Sequence, residues 1–164
     1  MKYMKLDQRE KKIFLADLES MPDFLAGAFA NCAPSELATS GPNGGFCPVE
    51  HVWHLADLER DGFAVRIRRL RAESHPQLPD FDGDLVAKEG NYKERSFESG
   101  IAAFRAARSS NISIFRNLAP ADWLHHGEQE GAGPVSLCDI PAMMAEHDEA
   151  HRMEIGEWLA SRAS

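Results

Sequence analysis

Two histidines one helical turn apart, His147 and His151, have the spacing in this sequence that points most directly to chemistry. Side chains at i and i+4 leave one helix face about 6 Å apart. Two imidazoles so placed can converge on one ion at the roughly 2.0–2.1 Å ligand distance of zinc. Both lie in the stripe Leu137, Ile140, Met144, His147, His151, Ile155 and Trp158, whose alternating three- and four-residue steps mark the buried face of a bundle helix. An unsatisfied polar ring on such a face costs about 1–3 kcal/mol. Their nitrogens therefore need an occupant, either a metal ion or a carboxylate such as Asp57 or Glu146. The glutamate of a zinc-protease His-Glu-x-x-His motif is missing, because Asp148 follows His147.

A catalytic metal wants a third ligand. His54 follows Trp53 and precedes Leu55, Leu58 and Val65, a pattern that turns it inward. His51 and Glu50 are the reserves on the same stretch. Three imidazoles on facing helices leave one or more metal positions open, which suits catalysis better than structural stapling. Asp57, Glu59, Asp148 and Glu149 flank the ligands and are candidates to orient a ring. His125 and His126 fall in a glycine-rich loop and are expected in solvent, and His75 precedes Pro76 at a helix end. Cys47 reads as a capping or packing thiol.

Four segments rich in Ala, Leu, Arg and Glu must position these residues: 5–31, 48–73, 97–118 and 136–161. Glycine and proline clusters at 31–48, 74–96 and 119–134 separate them. Ser20-Met21-Pro22 predicts a kink or restart in the first segment. Pro48 and Glu50 open the second behind Cys47, as a weakened capping box. Ser136 or Asp139 caps the fourth. No segment alternates with the period of two of a half-buried strand. The expectation is an all-α, single-domain four-helix bundle over 1–164, with a long connection, 74–96, between helices 2 and 3.

Composition excludes several partners. Apolar residues at 43% and charged residues at 27% fit an ordinary globular chain. With 18 Lys and Arg against 26 Asp and Glu, the net charge of −8 argues against a non-specific nucleic-acid binder. The run Arg66, Arg68, Arg69 and Arg71 reads as the solvated face of a helix. No stretch reaches the ~18 apolar residues of a membrane span. Met1 to Glu10 is charged, without the apolar core of a secretory leader. Cys32, Cys47 and Cys138 are too few and too scattered for a disulfide framework, which points to a reducing cytoplasm.

The stretch Glu50-His51-Val52-Trp53-His54-Leu55-Ala56-Asp57-Leu58-Glu59 resembles the first-histidine motif of the DinB-like superfamily, and Glu146-His147-Asp148-Glu149-Ala150-His151 resembles its paired-histidine motif. Leu78 to Tyr92 and Gly133-Pro134-Val135-Ser136-Leu137 resemble weaker family patterns between them. Phe46-Cys47 stands where family members often carry Trp-Ser. The resemblance implies a four-helix bundle, frequently a homodimer. It also implies a divalent metal, often zinc or nickel, on His54, His147 and His151.

Related members include bacillithiol transferases and mycothiol-dependent maleylpyruvate isomerases. The functional expectation is therefore a metal-dependent transferase joining a low-molecular-weight thiol to an electrophilic small molecule. Two alternatives stand beside it: a hydrolase using metal-bound water, and a non-enzymatic, stress-related small-molecule binding module. No protein nucleophile is required for the transfer, and no catalytic residue is assigned. The acidic chain would need a local basic patch for an anionic thiol, for which Arg95, Arg105 and Arg152 are the candidates.

Overall fold

A computed structural model describes residues 3–162. Four helical rods carry the fold: α1 (Gln8–Ala28), the continuous run of α2 (Pro48–Asp57), a π-helical turn (Leu58–Phe63) and α3 (Ala64–Ala72), then α5 (Phe97–Arg116) and α6 (Ile140–Arg162). The rod α1 packs on α5 and α6, and α5 packs on α2. These four are the bundle expected from the sequence. Among the described residues no helix is long and apolar enough to cross a membrane.

Local chemistry explains the boundaries. Asp7 and Glu10 form a reciprocal capping box on α1, each carboxylate accepting the other's backbone N–H at 2.8 Å. At the start of α2, Glu50 accepts from the Cys47 N–H at 3.0 Å. Asp139 precedes α6 and accepts from both the backbone and the hydroxyl of Ser136. Of the kink or restart expected at Pro22, the restart does not occur, because α1 runs through it. Pro22 has no N–H to give the Leu18 carbonyl one turn back. Arg108 from α5 supplies the missing donor instead, Nη1 to Leu18 O at 2.8 Å.

The long connection is ordered and contains elements that periodicity did not reveal. Its strand β1 (Gln77–Leu78) pairs in parallel with β2 (His126–Gln129), which pairs antiparallel with β3 (Gly133–Ser136). Strands of two to four residues, interrupted by Gly127, Gly133 and Pro134, are too short to show an alternation. A short helix, α4 (Gly83–Glu89), then lies against α2. Tyr92 closes the connection by donating its hydroxyl to Asp57 Oδ2 at 2.5 Å.

Two apolar clusters fill the interior. One gathers Leu15, Leu18, Leu58, Ile67, Ile112, Phe115 and Met144, and the other Met21, Leu25, Val52, Trp53, Phe104, Ile155 and Trp158. Trp123 joins the first cluster, so all three tryptophans are core residues. On α5 the change from one cluster to the other falls at Arg108, and on α6 it falls between Met144 and Ile155. That stretch of α6 carries His147, Asp148 and His151. A polar layer thus divides the core.

Candidate metal centre and its cleft

Arg108 anchors that layer. Its guanidinium is 2% exposed and uses all five N–H donors: two on Glu59, two on Asp148 and one on Leu18 O, at 2.7–3.1 Å. Asn111 adds a donor to Glu59 Oε1 at 3.1 Å. Burial acts against the Arg108 charge, yet the paired carboxylates outweigh it and hold the guanidinium firmly protonated. Glu59 reaches this position from the π-helical turn, a distortion often found beside functional sites.

With α6 fixed at Asp148, the neighbouring His147 and His151 face α2. His54 Nε2 and His147 Nε2 stand 3.3 Å apart. Ring centroids are 4.6 Å apart for His147–His151 and 5.1 Å for His54–His151. One nitrogen from each of the three rings lies within 4.8 Å of the others. A tetrahedral zinc with ~2.05 Å bonds separates two ligand nitrogens by roughly 3.3–3.4 Å, so the His54–His147 spacing is that of two ligands on one ion. The donor set fits a divalent metal.

His51 meets His151 through their Nδ1 atoms at 2.8 Å, a hydrogen-bond length that leaves His151 Nε2 as the nitrogen available to a metal. The reserve ligand is thus placed to orient a ring. The group His51, His151 and Glu154 also brings ligand atoms within 4.8 Å, but Glu154 is exposed and His151 belongs to both groups. None of the flanking carboxylates orients a ring by a hydrogen bond. Asp57 serves Tyr92 and Arg60, Glu59 and Asp148 serve Arg108, and Glu149 points into solvent. Glu146 lines the cleft at its exposed rim.

Burial keeps these rings neutral, the form that binds metal. It lowers His147 and His51 to about 4 and His151 to about 2, with the neighbouring imidazoles adding to the effect. His54 is also lowered by burial, with Asp84 and Asp57 opposing. Cys47 lies buried, its thiol pushed up to about 11, so it is an inert packing residue. The cysteines form no disulfide among the described residues. His125 and His126 are exposed, as the sequence indicates.

A cleft of about 440 Å³ opens beside His54 and His147, walled by Leu58, Phe63, Phe81 and Met143. Phe46 packs on the other side against His51, His54 and His151, with ring centroids 5.4–6.4 Å away. Arg66 also lines the cleft and is only 6% exposed, which overturns its reading as part of a solvated face. Arg68 and Arg71 are exposed and Arg69 pairs with Glu73. Arg95 stacks on Trp53, Arg105 pairs with Asp23, and Arg152 meets Ser20 and Phe24, so none of the three expected basic residues reaches the cleft. Twelve residues separate Arg66 from His54, which on a regular helix leaves them about 120° apart, and the π-helical turn Leu58–Phe63 between them shifts that register, so the sequence alone did not place Arg66 on the face of His54.

Residues 17–155 match the family model described as the DinB superfamily. A protein of Oceanobacillus iheyensis named "Putative metal-dependent hydrolase" is 22% identical over 142 residues, covering 87% of this chain and 81% of its own. A Bacillus licheniformis protein with the same description is 24% identical over 151 residues, 92% of this chain and 85% of its own. Among solved structures, YfiT from Bacillus subtilis, described as having an unusual four-helix bundle topology, superposes with a TM-score of 0.88 at 19% identity, over 99% of this chain and 93% of that one.

Proposed function

The chain belongs to the DinB superfamily, and we propose that it is a divalent-metal-dependent transferase that joins a low-molecular-weight thiol to an electrophilic small molecule. The observation that carries this reading is the convergence of His54, His147 and His151 at the wall of an open cleft. Zinc and nickel are among the metals that suit an all-imidazole set. A divalent ion held there supplies a Lewis acid that lowers the pKa of a thiol or water presented to it.

The chain's own residues supply the rest. The three imidazoles are neutral and carry no charge to offset an ion, so a metal held by them would keep its positive charge and favour an anionic nucleophile. Leu58, Phe63, Phe81 and Met143 offer an apolar wall to the body of an electrophile. No cysteine lines the cleft, so the sulfur comes with a co-substrate. The cleft volume is more than ten times the ~30 Å³ share of one water, which accommodates two small reactants. The sulfur–carbon bond forms as the leaving group departs, or as an epoxide C–O bond opens, and the thiol proton passes to solvent or to the alkoxide.

A second reading, hydrolysis, is favoured by the exposed Glu146, next to His147 in sequence and lining the cleft, a carboxylate that could serve as a base. The names of the relatives from Oceanobacillus iheyensis and Bacillus licheniformis support the same reading.

Metal-loaded protein should consume a thiol in the presence of an epoxide or alkyl halide and release the thioether. Chelation or His54→Ala should abolish this. Turnover of esters or amides without thiol would replace the transferase with the hydrolase. Saturable ligand binding with no product from either assay would identify a binding module.

A further inference from the structure

Among the described residues, three side-chain polar atoms are buried without a hydrogen-bond partner: His54 Nδ1, Arg66 Nε and Gln129 Oε1. All three residues line the same cleft. We propose that Arg66 and Gln129 form a carboxylate-recognising subsite, taking a small molecule in which a carboxylate lies beside a hydrogen-bond donor. The proposal rests on the reading of this cleft as the substrate site.

Neither residue has a structural task that explains its burial. Arg66 is 6% exposed and Gln129 7% exposed. The nearest carboxylate to Arg66 is Asp80, at 3.9 Å and with a side chain 64% exposed, too distant and too wet to neutralise a buried cation. Buried guanidinium groups normally have full hydrogen-bonded partners, as Arg108 has on α5. The face of Phe63 holds the Arg66 guanidinium, 5.3 Å from the ring centroid.

Gln129 is equally fixed. Its strand is tied to the long connection by Glu128 N–H to Pro76 O at 3.0 Å and by Glu130 N–H to Leu78 O at 2.9 Å. Its side chain therefore enters the cleft from a rigid backbone. A guanidinium offers two parallel donors to a planar carboxylate, and the amide oxygen then requires a donor next to that carboxylate. One buried cation, with Asp80 and Glu146 at the rim, suits a monoanion better than a phosphate dianion.

Zinc-loaded protein would be titrated with N-acetylalanine, which has a carboxylate beside an amide N–H, and with its uncharged twin N-acetylalaninamide. We expect at least tenfold tighter binding of the carboxylate, a preference erased in Arg66→Met at unchanged zinc content. Gln129→Leu should weaken both probes several-fold. Arg66→Met should melt no lower than wild type, because an apolar side chain replaces a buried cation whose one ion pair is long and solvent-exposed; a residue with a purely structural task would melt lower. Should that variant fold poorly, Arg66→Lys should fold and keep a reduced preference. Equal binding of the two probes, or a preference that survives in Arg66→Met, would overturn the subsite, the latter assigning the carboxylate to the metal. Thiol turnover measured on the same preparations separates the two claims: an Arg66-dependent preference without turnover supports the subsite and sinks the transferase, and turnover without the preference does the reverse.

Discussion

Arg108 donates to the carbonyl of Leu18, the one acceptor in α1 that Pro22 deprives of its helical donor. A single side chain from α5 thereby repairs a proline-containing helix and, through Asp148, sets the rotation of the helix that carries the paired histidines. Replacing Arg108 with Met leaves Glu59 and Asp148 buried and unpaired. A loss of about 3–5 kcal/mol is expected, read as a lower urea midpoint. A midpoint within error of wild type would mean that the layer is not cooperative.

His51 should act through His151 and not as a ligand. His51→Ala is expected to weaken zinc binding by about 10–100-fold, the usual cost of losing a group that orients a metal-binding histidine. Glu154→Ala should leave the affinity unchanged. A competition titration against a chromophoric chelator distinguishes this from ligation by His51, His151 and Glu154, which would make both substitutions severe.

Gly83 opens α4 against the His54 ring. A Cβ there would stand 2.5 Å from His54 Cε1, so Gly83→Ala must displace the imidazole or α4 and disturb the His54–His147 spacing. Alanine is the better helix former by up to about 1 kcal/mol. The expected signature is a melting temperature that does not fall, together with metal affinity reduced at least tenfold. Loss of both would point to general disruption instead.

The metal-free protein should keep its core imidazoles neutral well into the acid range. With His147 and His51 held near 4 by burial, against an ordinary 6.5, the unfolded chain binds their protons first. These rings therefore stabilise the fold fully above about pH 6.5, lose that contribution as the pH falls from there towards 4, and level off below. In an NMR titration of the chelated protein, both ring signals should stay constant until the pH approaches 4. Midpoints near 6.5 would contradict the burial of these side chains.

The bundle and the histidine stripe were legible because helices repeat every 3.6 residues and the apolar positions from Leu137 to Trp158 follow that repeat without interruption. Arg108 was missed, although its place between Ile101, Phe104, Ile112 and Phe115, a charge on an apolar stripe, was the signal that could have found it. Arg66 carried no such signal, because its neighbours Arg68 and Arg71 are solvated and the residues that cover it, Phe81 and Gln129, come from the long connection and a four-residue strand. The packing of Phe46 on three imidazoles was not legible either, because it depends on a loop folding back over those rings. Contacts between distant irregular segments leave no period to read.

The central claim is that His54, His147 and His151 hold one divalent ion, and elemental analysis of purified protein exposed to no chelator tests it most directly. About one zinc or nickel per chain is expected in the wild type, with loss of the metal in both His54→Ala and His151→Ala. A wild-type protein with no metal, and with no uptake on titration with either ion, would contradict the account.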